Sequence, residues 1–206
     1  MKTENWDAWS LTIESLEAFA QVIKAHGCKK IIEFGSGGST VWLAEFLASP
    51  SVRARLTSFV HEEKYYLRTQ EALAGDNAVS LRLTPLVSVS DSIFESMFNA
   101  ENPQELFQAN KYPANNPLGH NEFYDCAFLP VEYDAFILDG PNSNGRSLAF
   151  PLLKHAVKFP CYALIDDCQD LPFIKYMGRV FKYDELAYST ASSGKTWGIY
   201  KLKGLT

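Results

Sequence analysis

The segment 30–44, KIIEFGSGGSTVWLA, constrains the fold of this chain more than any other part of the sequence. A short apolar run ends at Glu33 and Phe34, a loop of glycine and serine follows, and a helical pattern begins near Ser39. This order predicts a buried strand, a tight turn and a helix N-terminus. The free N–H groups of that helix start, with Ser39 or Thr40 as cap, favour an anionic or polar ligand. The segment therefore predicts a nucleotide-type cofactor site at the mouth of a parallel sheet.

The spacing of the glycines distinguishes between two kinds of cofactor. A dinucleotide fingerprint reads G-x-G-x-x-G and is followed by an acidic residue about 20 positions later. Gly35 and Gly37 match its first two glycines, but Thr40 occupies the third position. Glu33 stands where a dehydrogenase usually carries an apolar or small residue, and its carboxylate can reach a cationic or hydroxylated cofactor. The segment 33–40 resembles the first motif of class I S-adenosylmethionine-dependent methyltransferases.

Composition and charge are those of an ordinary soluble domain with a large core. Hydrophobic residues make up 47% of the 206 residues and charged residues 21%, which suits one domain over 1–206 or a domain with an insertion. A net charge of −5 argues against a general nucleic-acid-binding protein. No apolar run reaches the ~18 residues of a membrane span, and no signal-peptide pattern opens the chain. The four cysteines form no C-x-x-C pair. We expect a cytoplasmic protein with free thiols and no membrane partner.

Hydrophobic periodicity predicts strands that alternate with helices, which is typical of an α/β fold with a mainly parallel sheet. The segment 1–27 is expected to be helical over most of its length. The predicted helices cover 8–26, 39–47, 62–73 and 146–158. The predicted strands cover 30–34, 55–60, 79–83, 133–139, 161–167, 178–183 and 197–202.

The segment 88–125 interrupts this alternation and has no clear period. A loop of this length inside a compact domain is usually functional or disordered. Its aromatic residues favour an ordered cap, and we expect an insertion that is either a substrate lid or purely structural. His120 and Tyr124 in this insertion are candidates for proton transfer. The aromatic residues are Phe94, Phe98, Phe107, Tyr112, Phe123 and Tyr124.

Acidic residues follow several of the predicted strands. Glu33, Asp139 and the pair Asp166–Asp167 lie at the C-terminal ends of predicted parallel strands, and Glu62 lies just past one. In open α/β sheets the ligand binds outside that edge, so we expect these carboxylates to converge on one cleft. A helix cap or a solvated loop explains each acid taken alone, but it does not explain the position that they share.

The segments 133–141 and 164–167, with Arg146 between them, are similar to a recurring arrangement in small-molecule and sugar O-methyltransferase-like proteins of the class I group. The resemblance covers residues 28–182 and is weakest across the insertion. It implies a Rossmann-like sheet of seven strands, mostly parallel with the last strand antiparallel, and helices on both faces. It also implies an S-adenosylmethionine-dependent methyltransferase that transfers a methyl group to a small-molecule or sugar acceptor, on oxygen.

The resemblance assigns cofactor contacts residue by residue. The glycine loop would pass under the amino-acid and ribose parts of S-adenosylmethionine, and Glu33 would hold the methionine amine or a bound water. Glu62, or Glu63 as the alternative, would accept hydrogen bonds from the ribose hydroxyls. Asp91 would lie near the adenine, although a helix N-cap explains it equally well. The expected cofactor-binding residues are Glu33, Gly35, Ser36, Gly37, Ser39, Thr40, Glu62, Asp91 and Asp139.

Methyl transfer from a sulfonium is an in-line displacement, so the protein mainly aligns the acceptor and helps to remove its proton. Some related O-methyltransferases bind a divalent cation at the ends of the fourth and fifth strands, where this chain carries Asp139, Asp166 and Asp167. Their oxygens suit Mg²⁺ or another divalent cation, and capping with local hydrogen bonds is the alternative.

Asp139 and Asp166 are the expected catalytic residues. Arg146 is a poor base, and we expect it to bind an anionic substrate or to form a salt bridge with Asp139 or Asp167.

Two other functions stay open at this stage. An NAD-dependent oxidoreductase is disfavoured by Thr40 in the third glycine position. A non-catalytic cofactor-binding protein of the same fold stays open because no lysine follows Asp139, where metal-dependent relatives often carry one. Fold resemblance alone does not fix function. A homodimer is also open, since Trp6, Trp9 and the aromatic insertion offer a contact surface.

Overall fold

The structure, a computed structural model, describes residues 11–114, 121–126, 132–142, 144–169, 172–190 and 194–206. The helices are α1 (Ile13–His26), α2 (Gly38–Leu47), α3 (Glu63–Ala72), α4 (Asp91–Met97), α5 (Pro103–Asn110), α6 (Ala149–Leu153) and α7 (Phe173–Gly178), with a 3₁₀ helix over Asn144–Leu148. The strands are β1 (Lys30–Phe34), β2 (Arg55–Val60), β3 (Val79–Leu83), β4 (Leu86–Ser88), β5 (Tyr112–Pro113), β6 (Glu122–Tyr124), β7 (Tyr133–Leu138), β8 (Val157–Asp166), β9 (Phe181–Thr190) and β10 (Thr196–Leu205).

Seven strands form the main sheet in the order β3-β2-β1-β7-β8-β10-β9. The pairs from β3 to β8 are parallel, and the last strand of the chain, β10, lies antiparallel between β8 and β9. This order confirms the predicted seven-stranded sheet with an antiparallel last strand. Because β1 has β2 on one side and β7 on the other, the sheet grows in opposite directions from β1, which makes this place the topological switch point.

The central strands of the sheet are buried on both faces, which explains why they are almost continuously apolar. Successive side chains of a strand point to opposite faces, so Ile31 packs in one core and Ile32 in the other. The first core, which contains Ile31, is covered by α1 and α2. The second core, which contains Ile32, is covered by α6, α7 and the insertion. None of the helices in the described residues is long and apolar enough to cross a membrane.

The first helix has clear signals at both ends. Thr12 is its N-cap and accepts a hydrogen bond from the backbone N–H of Ser15 at 3.2 Å. Gly27 ends the helix in the left-handed conformation, with φ of 64°. The predicted helix is therefore confirmed from residue 13 onward, while Trp6 and Trp9 lie outside the described residues.

The insertion is folded. Its strands form a separate antiparallel sheet in the order β5-β4-β6, and α4 and α5 lie between β4 and β5 in the chain. Strands of two or three residues and helices of seven or eight are too short to show a period, so the sequence pattern could not reveal them. Five of its six aromatic side chains are buried in the second core, and Tyr112 is exposed. A role as substrate lid stays a prediction. The proposed proton-transfer residue His120 lies outside the described residues.

Two predictions in the C-terminal part are wrong in their bounds. The predicted helix 146–158 is a 3₁₀ turn followed by the five-residue α6, and the chain enters β8 at Val157. This apolar stretch is buried on all sides, so no polar face marks where the helix ends. Gly178 ends α7, and the strand predicted to begin there starts at Phe181 and runs to Thr190.

The contact between the 3₁₀ helix and β6 has no room for a side chain. A Cβ added to Gly145 would lie 1.8 Å from the carbonyl oxygen of Glu122. We expect Gly145→Ala to lower the free energy of unfolding by about 3 kcal/mol or more, since a backbone must move to accommodate the methyl group. Gly204→Ala is the matched control, because nothing lies within 4 Å of that position. Urea unfolding measures both. Equal stability of the two variants would contradict the packing of the insertion.

Candidate cofactor-binding and active site

A cavity of about 290 Å³ opens at the C-terminal edge of the parallel strands, at the switch point of the sheet. Its walls are the glycine loop after β1, the loop after β2 with the first turns of α3, and the loop after β7. Tyr124 of the insertion and Asp167 after β8 complete it. This is the place where ligands bind in open α/β sheets, and it is where the sequence predicted the acidic strand ends to meet.

Gly35 lies where the ends of three strands are joined. Its N–H donates to the carbonyl of Phe59 at the end of β2, at 3.1 Å. The N–H groups of Asp139 and Gly140 after β7 both donate to the carbonyl of Phe34, at 2.9 and 2.7 Å. Gly35 has φ of +107°, and a Cβ there would lie 2.8 Å from the nitrogen of Gly140. Only glycine fits this turn, because its φ is positive and the loop after β7 lies against it.

Glu33 lies beneath this loop, not in the cavity wall. Its carboxylate is fully buried and accepts hydrogen bonds from the hydroxyls of Ser39 at 2.7 Å, Thr40 at 2.6 Å and Ser58 at 2.6 Å. Burial raises the pKa of Glu33, and these three hydrogen bonds partly oppose the rise. The carboxylate of Glu33 does not line the cavity. The structure gives Glu33 a positioning role in place of the expected contact with the methionine amine.

The start of α2 differs from the predicted cap. The N-cap is Gly37, and the hydroxyl of Thr40 accepts a hydrogen bond from its N–H at 3.0 Å. Thr40 is fully buried, so it holds the loop from below. Ser36, Gly37 and Ser39 line the cavity together with Gly35. Their contact with a cofactor stays a prediction.

The residues after β2 place one carboxylate in the cavity. Glu62 lines it, whereas Glu63 is the first residue of α3 and does not. The carboxylate of Glu62 lies 3.6 Å from Nε2 of His61, which also lines the cavity. Burial lowers the pKa of His61, while the charges of Glu62 and Glu122 act in the opposite direction. A histidine of lowered pKa is mainly neutral at pH 7 and can accept a proton.

Sequence reasoning missed several wall residues. Tyr65 and Arg68 of α3 line the cavity. Tyr65 lies about one helical turn after Glu62 and Arg68 about one turn after Tyr65, and this repeat is the signal that could have identified them. Tyr124 reaches the wall from the insertion, 5.9 Å from the ring of His61. Burial, followed by the charge of Asp139, raises the pKa of Tyr124. Its hydroxyl therefore keeps its proton and is a poor general base.

Asp91 does not line the cavity. It is in the first turn of α4, whose N-cap is Ser90. One oxygen of Asp91 accepts a hydrogen bond from the side-chain amide of Asn121 at 2.6 Å. The amide of Asn144 in turn donates to Asn121 at 3.2 Å. Asp91 therefore connects parts of the insertion to the 3₁₀ helix. The N-cap is Ser90 and not Asp91, and the adenine contact stays a prediction.

The three aspartates after β7 and β8 do converge, and we call Asp139, Asp166 and Asp167 the carboxylate cluster. Asp139 and Asp167 line the cavity, and Asp166 is fully buried beside them, within hydrogen-bonding reach of Asp139. Burial raises the pKa of Asp139 and of Asp166, and the negative charges of the neighbouring aspartates raise them further. Arg146 and Lys195 act in the opposite direction on both. Arg146 pairs with Asp167 at 3.3 Å, one of the salt bridges that the sequence predicted.

The carboxylate cluster does not fit the expected divalent-cation site. Asp167 is paired with Arg146, and Asp166 is paired with the ammonium group of Lys195 at 3.3 Å. Within the described ranges, no group of three His, Cys, Asp or Glu side chains is arranged to hold a metal ion. Magnesium requires near-octahedral oxygen ligands, and two of these three carboxylates already have a cationic partner. The prediction of a metal site on these residues is therefore not supported.

Comparison with known proteins gives the fold. No family model and no curated protein sequence matches the chain. An O-methyltransferase from Bacillus cereus, solved with S-adenosylhomocysteine, matches with a TM-score of 0.58 and 15% identity over 96% of this chain and 84% of that chain. The O-methyltransferase TomG from Streptomyces achromogenes, solved with S-adenosylmethionine, matches with a TM-score of 0.58 and 13% identity over 95% and 82%.

A third solved structure is that of an N-methyltransferase, whereas the first two are O-methyltransferases. The N-methyltransferase NodS from Bradyrhizobium japonicum, solved with S-adenosylhomocysteine, matches with a TM-score of 0.52 and 8% identity over 92% of this chain and 86% of that chain. The chain has the class I methyltransferase fold. The predicted Rossmann-like architecture is confirmed, and at these identities the likeness concerns the fold alone.

The buried carboxylate of Glu33 gives a test of how the loop is held. We expect Glu33→Ala to lower the free energy of unfolding by about 3 kcal/mol or more, because three buried hydroxyls lose their shared acceptor and each such loss costs ~1–3 kcal/mol. Ser58→Ala, which removes one of the three donors, is the matched control and should cost less.

The pH dependence of stability adds a second readout for Glu33. Since its pKa is raised on folding, the folded state binds this proton more tightly, and stability falls as pH rises above about 4.3. Glu33→Gln has no such proton, so its free energy of unfolding should vary less with pH than that of the wild type. Parallel pH profiles of the wild type and Glu33→Gln, measured by urea unfolding, would mean that burial does not raise the pKa of Glu33.

Proposed function

We propose that this chain is an S-adenosylmethionine-dependent methyltransferase that acts on a small-molecule or sugar acceptor, with oxygen as the methylated atom. One observation carries the proposal: the cavity at the switch point has a glycine loop on one side and carboxylates from two neighbouring strand ends on the other. The same fold holds S-adenosylmethionine or its product in the solved structures described above.

The wall of the cavity has the chemistry that this cofactor requires. Gly37 lines the cavity and nothing lies within 4 Å of a Cβ built on it, so the loop presents open backbone to a ligand there. The N–H groups at the start of the ten-residue α2 suit the cofactor carboxylate. Glu62 would accept hydrogen bonds from the ribose hydroxyls, and Asp139 would accept one from the methionine amine. When bound, the cofactor supplies an electrophilic methyl group on sulfur.

The remaining chemistry falls to side chains of this chain. Asp139 borders the cavity, and because its pKa is raised by burial, its ionised form is a stronger base than an exposed aspartate. The neutral imidazole of His61 is a second group that can accept the proton of an acceptor hydroxyl. Asp166 is fully buried, so it would act through Asp139 as a positioning residue. Arg146 fixes the loops after β7 and β8 relative to each other.

We also propose a cytoplasmic location. All four cysteines are free thiols, and three of them are buried. Free cysteines are the usual state in a reducing compartment. The net charge of −5 supports a small-molecule acceptor over a nucleic acid.

Calorimetric titration of the purified protein tests the cofactor. We expect micromolar binding of S-adenosylmethionine and S-adenosylhomocysteine and no binding of NAD. Glu62→Gln should weaken both sulfur ligands by about 10- to 100-fold, because hydrogen bonds to a charged group are worth ~1.5–3 kcal/mol. Glu63→Gln is the matched control, one residue away and outside the cavity wall, and should change the affinity less than about twofold.

The opposite pattern would overturn the proposal. Binding of NAD without binding of the sulfur ligands would mean an oxidoreductase-type cofactor. An equal loss in the two glutamine variants would mean that Glu62 does not contact the ligand.

A further inference from the structure

Two cations of this chain are built into the carboxylate cluster. Arg146 is 3% exposed, and its guanidinium contacts both loops that carry the aspartates. Its Nε donates to the carbonyl of Pro141 at 3.0 Å, and one terminal nitrogen donates to the carbonyl of Asp166 at 3.2 Å and to the carboxylate of Asp167 at 3.3 Å. The ring of Phe173 lies 5.2 Å from its central carbon. A side chain fixed on so many sides keeps its charge in one place.

The second cation of the cluster is the side chain of Lys195. The ammonium group of Lys195, which directly precedes β10, lies 3.3 Å from Oδ2 of Asp166. The lysine side chain is 16% exposed and the aspartate side chain is 0% exposed. Another side-chain neighbour of Asp166 is Asp139, which is within hydrogen-bonding reach. A buried carboxylate beside a second aspartate depends on a nearby positive charge or a shared proton.

We propose that Arg146 and Lys195 take the place of a divalent cation at the carboxylate cluster, so that ligand binding in this cavity is independent of metal. The inference deepens the proposed function, because a methyl acceptor would then meet fixed protein cations where a metal was expected. Both cations lie within 3.3 Å of carboxylate oxygens that a metal would need as ligands. A divalent ion there would lose ligands and be repelled by two like charges.

Lys195 is the side chain whose removal tests this arrangement. Arg146 is packed inside the fold, whereas Lys195 directly precedes β10. Loss of the Lys195 ammonium group removes the ion-pair partner of Asp166. We expect Lys195→Met to bind a cation that the wild type does not bind. The matched control is Lys203→Met, since Lys203 lies within β10, away from the cluster, and is paired at 2.6 Å with the exposed Asp184.

Terbium luminescence measures the binding without any substrate. Trp197 lies opposite Asp166 in the β10–β8 pair and is buried, so it can sensitise a terbium ion bound at the cluster. We titrate cofactor-free protein with Tb³⁺ and then compete with Mg²⁺. Lys195→Met should give a saturable signal with half-saturation at about 0.1–1 mM, the range of weak oxygen-ligand sites. The wild type and Lys203→Met should give the same low background.

The outcomes separate the two proposals. A saturable terbium signal in Lys195→Met that is lost when Asp166→Asn is added supports the role of the two protein cations. A saturable signal in the wild type that Asp166→Asn removes would overturn them, and so would a folded Lys195→Met protein with no gain. If Lys195→Met does not fold, Lys195→Gln gives the same readout. Calorimetry with S-adenosylhomocysteine is independent, so its failure would remove the methyltransferase assignment and leave the terbium result standing.

Discussion

Backbone hydrogen bonds around Gly35 are the constraint on which the rest of the site depends. They join the ends of β1, β2 and β7 so closely that no side chain fits at this turn. Because the three strand ends are fixed, the residues that follow them are fixed as well, which brings Glu62 and Asp139 to the same cavity. The hydroxyl network on Glu33 supports the same loop from below. The cavity is therefore set by the backbone of the sheet edge before any ligand enters.

The charges of the site form two groups with different surroundings. Glu62 is half exposed and faces the cavity mouth, so its charge is well solvated. The carboxylate cluster is largely buried, and the pKa values of Asp139 and Asp166 are raised even with Arg146 and Lys195 beside them. Water can stabilise the first group, but only protein cations or a shared proton can stabilise the second. This contrast explains why we assign binding of the ribose hydroxyls to Glu62 and chemistry at the methyl acceptor to the carboxylate cluster.

Much of this could be predicted from the sequence, because the relevant signals are local. The strand 55–60 was predicted with the bounds that the structure has, and the acids after the strands met at one edge as topology requires. What the sequence could not provide were contacts between distant segments. Lys195 is 29 residues from Asp166 in the chain, and the three hydroxyl partners of Glu33 come from two elements. The short elements of the insertion left no periodicity to detect.

A crystal structure of the protein with S-adenosylhomocysteine would locate the cofactor site. We expect the amino-acid part of the ligand over Gly35, Ser36 and Gly37, the ribose hydroxyls within hydrogen-bonding distance of Glu62, and the sulfur facing Asp139. A ligand bound elsewhere on the molecule, or one oriented with its ribose away from Glu62, would contradict the assignment of the cavity at the switch point.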